Sequence, residues 1–195
     1  MSLENILLLS CRSSYLDSDK VYPPLANLYL HQAIKKKHPE VQVTITDDYA
    51  SIDFDKKQYQ AVGVSIMTPQ REEARKILNK VKGKALTLAG GPHCKYYFDE
   101  MKQEGWDIVI PYDGVRAINQ IIEGRRDSVI KDSITIPEYQ TEWVKPNRLD
   151  NKEFLRSFNY KLGETDSTTA FFAQGCPMKC TFCEDAMSTV RWTPM

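Results

Sequence analysis

The chain has no excess of either charge, because 26 Lys and Arg cancel 26 Asp and Glu. A balanced surface sets up no field to draw in nucleic acid or anionic lipid, so neither is expected as a partner. No apolar run reaches the length needed to span a membrane. The opening Ile6-Leu7-Leu8-Leu9-Ser10-Cys11 faintly mimics a lipoprotein leader. It is too short for one, and Glu4 stands where such leaders carry positive charge. These absences predict a cytoplasmic protein without a membrane partner. Also missing is a G-x-G-x-x-G turn: the first apolar run continues as Ser10-Cys11-Arg12-Ser13-Ser14. Without those glycines the backbone cannot close on a pyrophosphate, which argues against a nicotinamide cofactor and makes Asp47-Asp48 a solvated turn.

What the chain does have is cysteine in one place. Of five cysteines, three stand together in Gly175-Cys176-Pro177-Met178-Lys179-Cys180-Thr181-Phe182-Cys183, at C-x3-C-x2-C. Such clustering points to metal rather than to disulfides. A closed zinc site needs four ligands. No further Cys or His follows Cys183, His93 lies far upstream, and Glu184 or Asp185 would make an unusual fourth ligand. Three thiolates instead suit a 4Fe–4S cluster held by Cys176, Cys180 and Cys183, with one iron open to a ligand.

Upstream, apolar runs alternate with helical patterns. Strands are expected at Asn5–Ser10, Val41–Thr46, Ala61–Met67, Ala85–Ala89 and Trp106–Ile110. Pro23-Pro24 can open a helix but not sit inside one, and Leu25, Leu28, Tyr29 and Ala33 follow at helical spacing. Ala74, Ile77, Leu78 and Val81 form an amphipathic stripe, and Ala117, Ile118, Ile121 and Ile122 another, stopped by Gly124. Alternation of this kind predicts an α/β, doubly wound, flavodoxin-like parallel sheet of five strands in the order 2-1-3-4-5 over residues 1–126. Ligands of such sheets bind beyond the carboxyl ends of the strands. That singles out the loops Cys11–Asp19, Ser65–Gln70, Gly90–Cys94 and Tyr112–Gly114. Cys94 reads as a small core residue, His93 as a hydrogen-bonded loop residue, and Cys11 has no assigned role.

Residues 127–166 lose periodicity and read as a loosely packed linker, with a small hairpin possible at Ser128–Ile136. Residues 167–195 begin another unit, in which a buried strand at Thr168–Phe172 runs directly into the cysteine loop.

Taken in order, these features resemble the cobalamin-dependent radical S-adenosylmethionine (radical-SAM) family: an amino-terminal cobalamin-binding domain, a linker, then a barrel. The resemblance rests on Pro23-Pro24-Leu25, Gly63-Val64-Ser65-Ile66-Met67-Thr68, Gly90-Gly91-Pro92-His93 and the Gly-Cys-Pro cysteine loop, with Arg191-Trp192 where the family leaves that loop. It implies that the open iron binds S-adenosylmethionine beside Phe182, and that an electron from the cluster cleaves it to a 5′-deoxyadenosyl radical. It implies that Ser65 and Thr68 line the pocket for the corrinoid's nucleotide tail, that Gly90 and Gly91 allow the backbone to approach that tail, and that Gly114 keeps the family's glycine after strand five. Where the family has Gly-Glu-Gly-Glu, this chain has Tyr112-Asp113-Gly114-Val115, and the Asp-x-His-x-x-Gly loop of His-on cobalamin proteins is absent. The implied chemistry is radical methylation or oxidative cyclisation of a small-molecule substrate, with a flavodoxin or ferredoxin as electron donor. A full barrel needs roughly 200 residues or more, so the remainder is expected in a longer chain or a partner, unless the product is truncated. The competing expectations are a stand-alone corrinoid- or nucleotide-binding module and a zinc-stabilised interaction domain.

Overall fold

A computed structural model of the chain describes residues 3–13, 15, 23–56, 58–132, 141–158, 161–162, 165–166, 173–174, 176–183 and 191–192. The strands β1 (Asn5–Ser10), β2 (Gln42–Thr46), β3 (Ala61–Ser65), β4 (Leu86–Gly90) and β5 (Ile108–Ile110) form one parallel sheet in the order β2-β1-β3-β4-β5. The order agrees with expectation; β1 has the expected ends and the other strands differ by up to two residues. Three helices connect strands of the sheet, α1 (Leu25–Lys37), α2 (Arg71–Val81) and α3 (Pro92–Glu104), and α4 (Gly114–Ile122) follows β5.

Side chains alternate across a strand, and β1 uses both faces. Ile6 and Leu8 pack with Leu28 and Ile34 of α1 and Ile118 and Ile121 of α4. Leu7 and Leu9 pack with Ile77 and Leu78 of α2 and Met101 of α3. Two cores therefore sandwich the sheet, which explains why β1 reads as an unbroken apolar run.

Helix α3 was not legible as a helix. Its stripe is only Cys94, Phe98 and Met101, broken by exposed Tyr96 and Tyr97, and Tyr97 itself departs from helical geometry at φ −117°. His93 accordingly lies in the first turn of a helix and not in a loop. The cysteines outside the loop, Cys11 and Cys94, are core residues, and burial pushes both thiols up to about 12.

The segment after α4 is docked, where loose packing was expected. Val129 bridges Val109 in parallel at the free edge of β5. The rest of the anticipated hairpin, 133–136, lies outside the described residues. Further on, the Asn147 amide donates to the Leu28 carbonyl at 3.1 Å, Val144 is buried, and the Arg116 guanidinium grips the Glu142 carboxylate with Nη2 at 2.7 Å and Nε at 3.3 Å. A short helix α5 (Lys152–Leu155) follows. Then come two antiparallel pairs, β6 (Lys161–Leu162) with β7 (Thr165–Asp166), and β8 (Ala173–Gln174) with β9 (Arg191–Trp192). The anticipated strand Thr168–Phe172 lies outside the described residues, as do Glu184, Asp185 and most of Cys11–Asp19. No helix among the described residues is long and apolar enough to cross a membrane.

Candidate functional site

Register creates a hollow at the carboxyl edge of the sheet. One row across the strands reads Leu8, Gly63, Leu88, Ile108; the next reads Ser10, Ser65, Gly90, Ile110. These rows face α1 and α4. With Gly63, Ser65 and Gly90 adjoining, the sheet offers almost no side chain to fill the space beneath the two helices. A cavity of about 300 Å³ results.

Its walls come from Asn27, Tyr29 and Leu30 of α1, from Tyr112–Gly114, and from Ile118 of α4. Glu142, Trp143 and Val144 of the linker complete its lining. Of the residues expected around a ligand, Ser65, Gly90, Gly91 and Gly114 do line this cavity. Three of the four singled-out loops therefore meet there. Thr68 does not line it; it is exposed, and its hydroxyl lies 3.2 Å from His93 Nδ1. The two adjacent glycines have different reasons to be glycine. A Cβ on Gly90 would find nothing nearer than the Ile110 carbonyl at 3.8 Å, whereas a Cβ on Gly91 would lie 2.7 Å from the Ile66 amide nitrogen. Gly90 keeps the hollow open, and Gly91 lets two backbone segments pass.

The electrostatics of the cavity narrow what can enter. Among the described residues none of its lining is Lys, Arg or His, and its two carboxylates are already engaged. Glu142 is held by Arg116. Asp113 caps α4, accepting from the Val115 amide at 2.8 Å and the Arg116 amide at 3.4 Å. Helix amino termini are the usual anion sites, but here that of α4 is filled by the chain's own carboxylate. That of α3 is likewise occupied: Pro92 has no N–H, His93 N–H donates to the Ile66 carbonyl at 3.0 Å, and Cys94 N–H to the Gly91 carbonyl at 3.0 Å. The described lining of the cavity suits a flat, uncharged, largely apolar group. As a check on the cap, Asp113→Ala is expected to cost about 0.5–2 kcal/mol and Asp113→Asn nearly nothing, measured by denaturant unfolding.

His93 is closed off from this site. It is buried, it stacks on Tyr97 at 4.7 Å between ring centroids, and burial lowers its pKa.

The cysteine loop is bounded by β8 and β9, with Gln174 opposite Arg191. Cys176, Cys180 and Cys183 form no disulfide among the described residues; the first two are half-buried and the third is exposed. The Cys183 amide donates to the Cys180 carbonyl at 3.2 Å, which tightens the second half of the motif into a turn. Phe182 stands in solvent, 92% exposed. Among the described residues no three Cys, His, Asp or Glu side chains are gathered closely enough to hold a metal ion. The donor set nonetheless fits an iron–sulfur cluster in its chemistry: three thiols on one short loop, in no disulfide among the described residues.

Missed in the sequence were Asn27, whose buried Nδ2 donates to Ser10 Oγ at 3.0 Å beside the cavity, and Trp143 on its roof. Asn27 sits in an apolar helical stripe and was a signal of a polar need there. Trp143 stood in a stretch without periodicity and gave none.

No family model matches the sequence, and no curated protein matches it. Among solved structures, the chain is similar to the cobalamin-dependent S-adenosylmethionine radical enzyme OxsB with aqua-cobalamin bound, at 14% identity and a TM-score of 0.71. The same enzyme with aqua-cobalamin and S-adenosylmethionine bound gives 14% identity and a TM-score of 0.72. In both comparisons 97% of this chain is covered but 30% of OxsB, so the chain spans under a third of that enzyme's length. At this identity the likeness is one of fold: a five-stranded parallel sheet flanked by helices, as the register independently requires.

Proposed function

We propose that this chain is the amino-terminal part of a cobalamin-dependent radical-SAM enzyme, with residues 1–126 holding the corrinoid, 127–166 as linker and 167–195 opening the radical-SAM unit. The observation that carries this reading is the largely apolar hollow at the carboxyl edge of β3, β4 and β5, lined by no cation among the described residues, in the same chain as a C-x3-C-x2-C loop. The benzimidazole end of a cobalamin tail needs an apolar slot, and the described lining of this cavity is mostly apolar. OxsB, the similar solved enzyme, has cobalamin bound.

In this reading the chain's own residues position and shield. Leu8, Leu88, Ile110 and Ile118 exclude water from the tail, and Ser65 offers a hydroxyl at the mouth. Cys176, Cys180 and Cys183 would hold the cluster, which, when bound, supplies the electron that cleaves S-adenosylmethionine. Phe182, solvent-exposed here, is the side chain available to cover that molecule. Radical methylation or oxidative cyclisation of a small molecule, with a flavodoxin or ferredoxin as electron source, follows from the family resemblance.

Two measurements test the proposal. Hydroxocobalamin should co-elute with the purified chain, and its visible spectrum should shift to the base-off form, since a tail seated in the protein cannot also ligate cobalt. Anaerobic incubation with iron and sulfide should give a brown protein, and Cys180→Ala should abolish iron retention. Absence of any corrinoid binding removes the cobalamin assignment; retention of zinc without iron uptake replaces the cluster with a structural zinc site.

A further inference from the structure

The roof of the cavity belongs to a different part of the chain from its floor, and it is held in an unusual way. Glu142, Trp143 and Val144 are linker residues. The Arg116–Glu142 fork fixes one side of the tryptophan, and buried Val144 with the Asn147–Leu28 backbone bond fixes the other. The indole itself has no such tether. Its buried Nε1 has no hydrogen-bond acceptor among the described residues, so among them packing alone sets the orientation of the ring. The sheet lines the same cavity with Gly63, Ser65 and Gly90, whose small side chains leave space for an aromatic ring. A large indole lining a cavity whose sheet side carries two glycines and a serine leaves room for a flat ring, and no cation lines that cavity among the described residues.

We infer that Trp143 is the specificity-determining residue of this site: it covers the terminal heteroaromatic ring of the bound corrinoid's tail against the Gly63–Ser65–Gly90 floor. The inference rests on the corrinoid reading of the cavity. Stacking of a base on an aromatic side chain is sequence-tolerant but requires a ring, because the attraction is face to face. It follows that Trp143 should matter for corrinoids that carry a nucleotide tail and not for those that lack one.

The test is a titration of the purified chain with hydroxocobalamin and with dicyanocobinamide, the tail-less corrinoid, followed by visible absorbance and by tryptophan emission. Trp143→Ala should weaken hydroxocobalamin binding by about 10- to 100-fold, while Trp143→Phe keeps it within about threefold. Trp143→Leu preserves apolar volume without a π face and should behave like the alanine variant, which separates stacking from a packing defect. Cobinamide should bind weakly and equally to all four proteins. Hydroxocobalamin should quench emission in the wild type more than in Trp143→Phe. Equal hydroxocobalamin affinity in the wild type and Trp143→Leu overturns the role of the ring. So does a parallel loss of cobinamide binding, which would mean the indole touches the corrin. If the wild type binds neither corrinoid, the cavity reading itself fails and this inference with it.

Discussion

Gly91→Ala is expected to lower stability by about 3–5 kcal/mol, while Gly90→Ala, one residue away, changes it by less than about 1 kcal/mol. Gly91 sits at φ 96°, ψ 178°, a region that only glycine occupies without strain; forcing a side chain there costs on the order of 1–3 kcal/mol. The added Cβ would also lie 2.7 Å from the Ile66 nitrogen, 2.8 Å from its oxygen and 3.1 Å from Ser65 Oγ. Neither backbone atom can retreat cheaply. Ile66 N–H donates to the Gly90 carbonyl at 2.8 Å, and the Ile66 carbonyl accepts from the His93 amide at 3.0 Å. Shifting Ile66 would break both the last rung between β3 and β4 and the first turn of α3. Against a typical total stability of about 5–15 kcal/mol, such a loss is large enough to depress thermal unfolding by roughly 10 °C or more. Gly90 has ordinary strand geometry and open space at its Cβ position, so its alanine variant loses nothing and gains a little backbone order. Thermal or denaturant unfolding of the two single variants decides the matter. Similar stabilities would mean that the passage between Ile66 and Gly91 is wider than the geometry describes.

The contrast between those two residues also shows which parts of the chain could be read in advance. Both appeared in the sequence as one turn, Gly90-Gly91-Pro92, and the pair was expected to approach a ligand together. Register is what separates them. Gly90 closes β4 opposite Ser65, while Gly91 turns back across Ile66. The sheet itself was legible because β1 and β3 are buried on both faces and therefore unbroken in hydropathy. Helices α2 and α4 were legible because each lays its apolar residues on one stripe, Ala74, Ile77, Leu78 and Val81 in the first case. Helix α3 was not, since its kink at Tyr97 and its exposed tyrosines hide the three buried positions. The terminal signals at Pro92 and Gly105, a first-turn proline and a left-handed cap at φ 102°, were present and could have found it. The site was half legible. Loops at the carboxyl edge follow from the alternation of strands and helices, so Ser65, Gly90 and Gly114 could be placed there. The roof could not, because the contact between Arg116 and Glu142 joins distant segments and leaves no periodic trace. The cysteine loop is a further case: its spacing announces a donor set, yet spacing alone does not gather the sulfurs, and among the described residues they are not gathered.

Gly90→Leu is expected to abolish corrinoid binding, by at least about 100-fold, without harming the fold. The side chain at this position starts on the face shared with Leu88 and Ile110, with its nearest neighbour at ordinary contact distance. It would extend into the cavity of about 300 Å³ beneath α1 and α4. A leucine buried there gains apolar contact, worth about 1.5–3 kcal/mol if burial is complete, so thermal stability should hold or rise. The same atoms occupy the slot between the sheet and Trp143, and a ring cannot share it. This inverts the usual relation between a deleterious variant and its stability: function is lost because the protein is better packed. The inversion separates two explanations of the hollow. If the space serves a ligand, Gly90→Leu gives a stable protein that leaves hydroxocobalamin in its free, base-on spectrum. If the space is a packing fault, the variant gains stability and binds whatever the wild type binds with unchanged affinity. A Gly90→Leu protein with raised melting temperature and wild-type cobalamin affinity would move the ligand away from β4. Because Gly90 and the cysteine loop lie in different segments, iron uptake by Cys176, Cys180 and Cys183 should be the same in this variant as in the wild type. The two halves of the proposed function can thus be removed one at a time, and each loss read by its own colour.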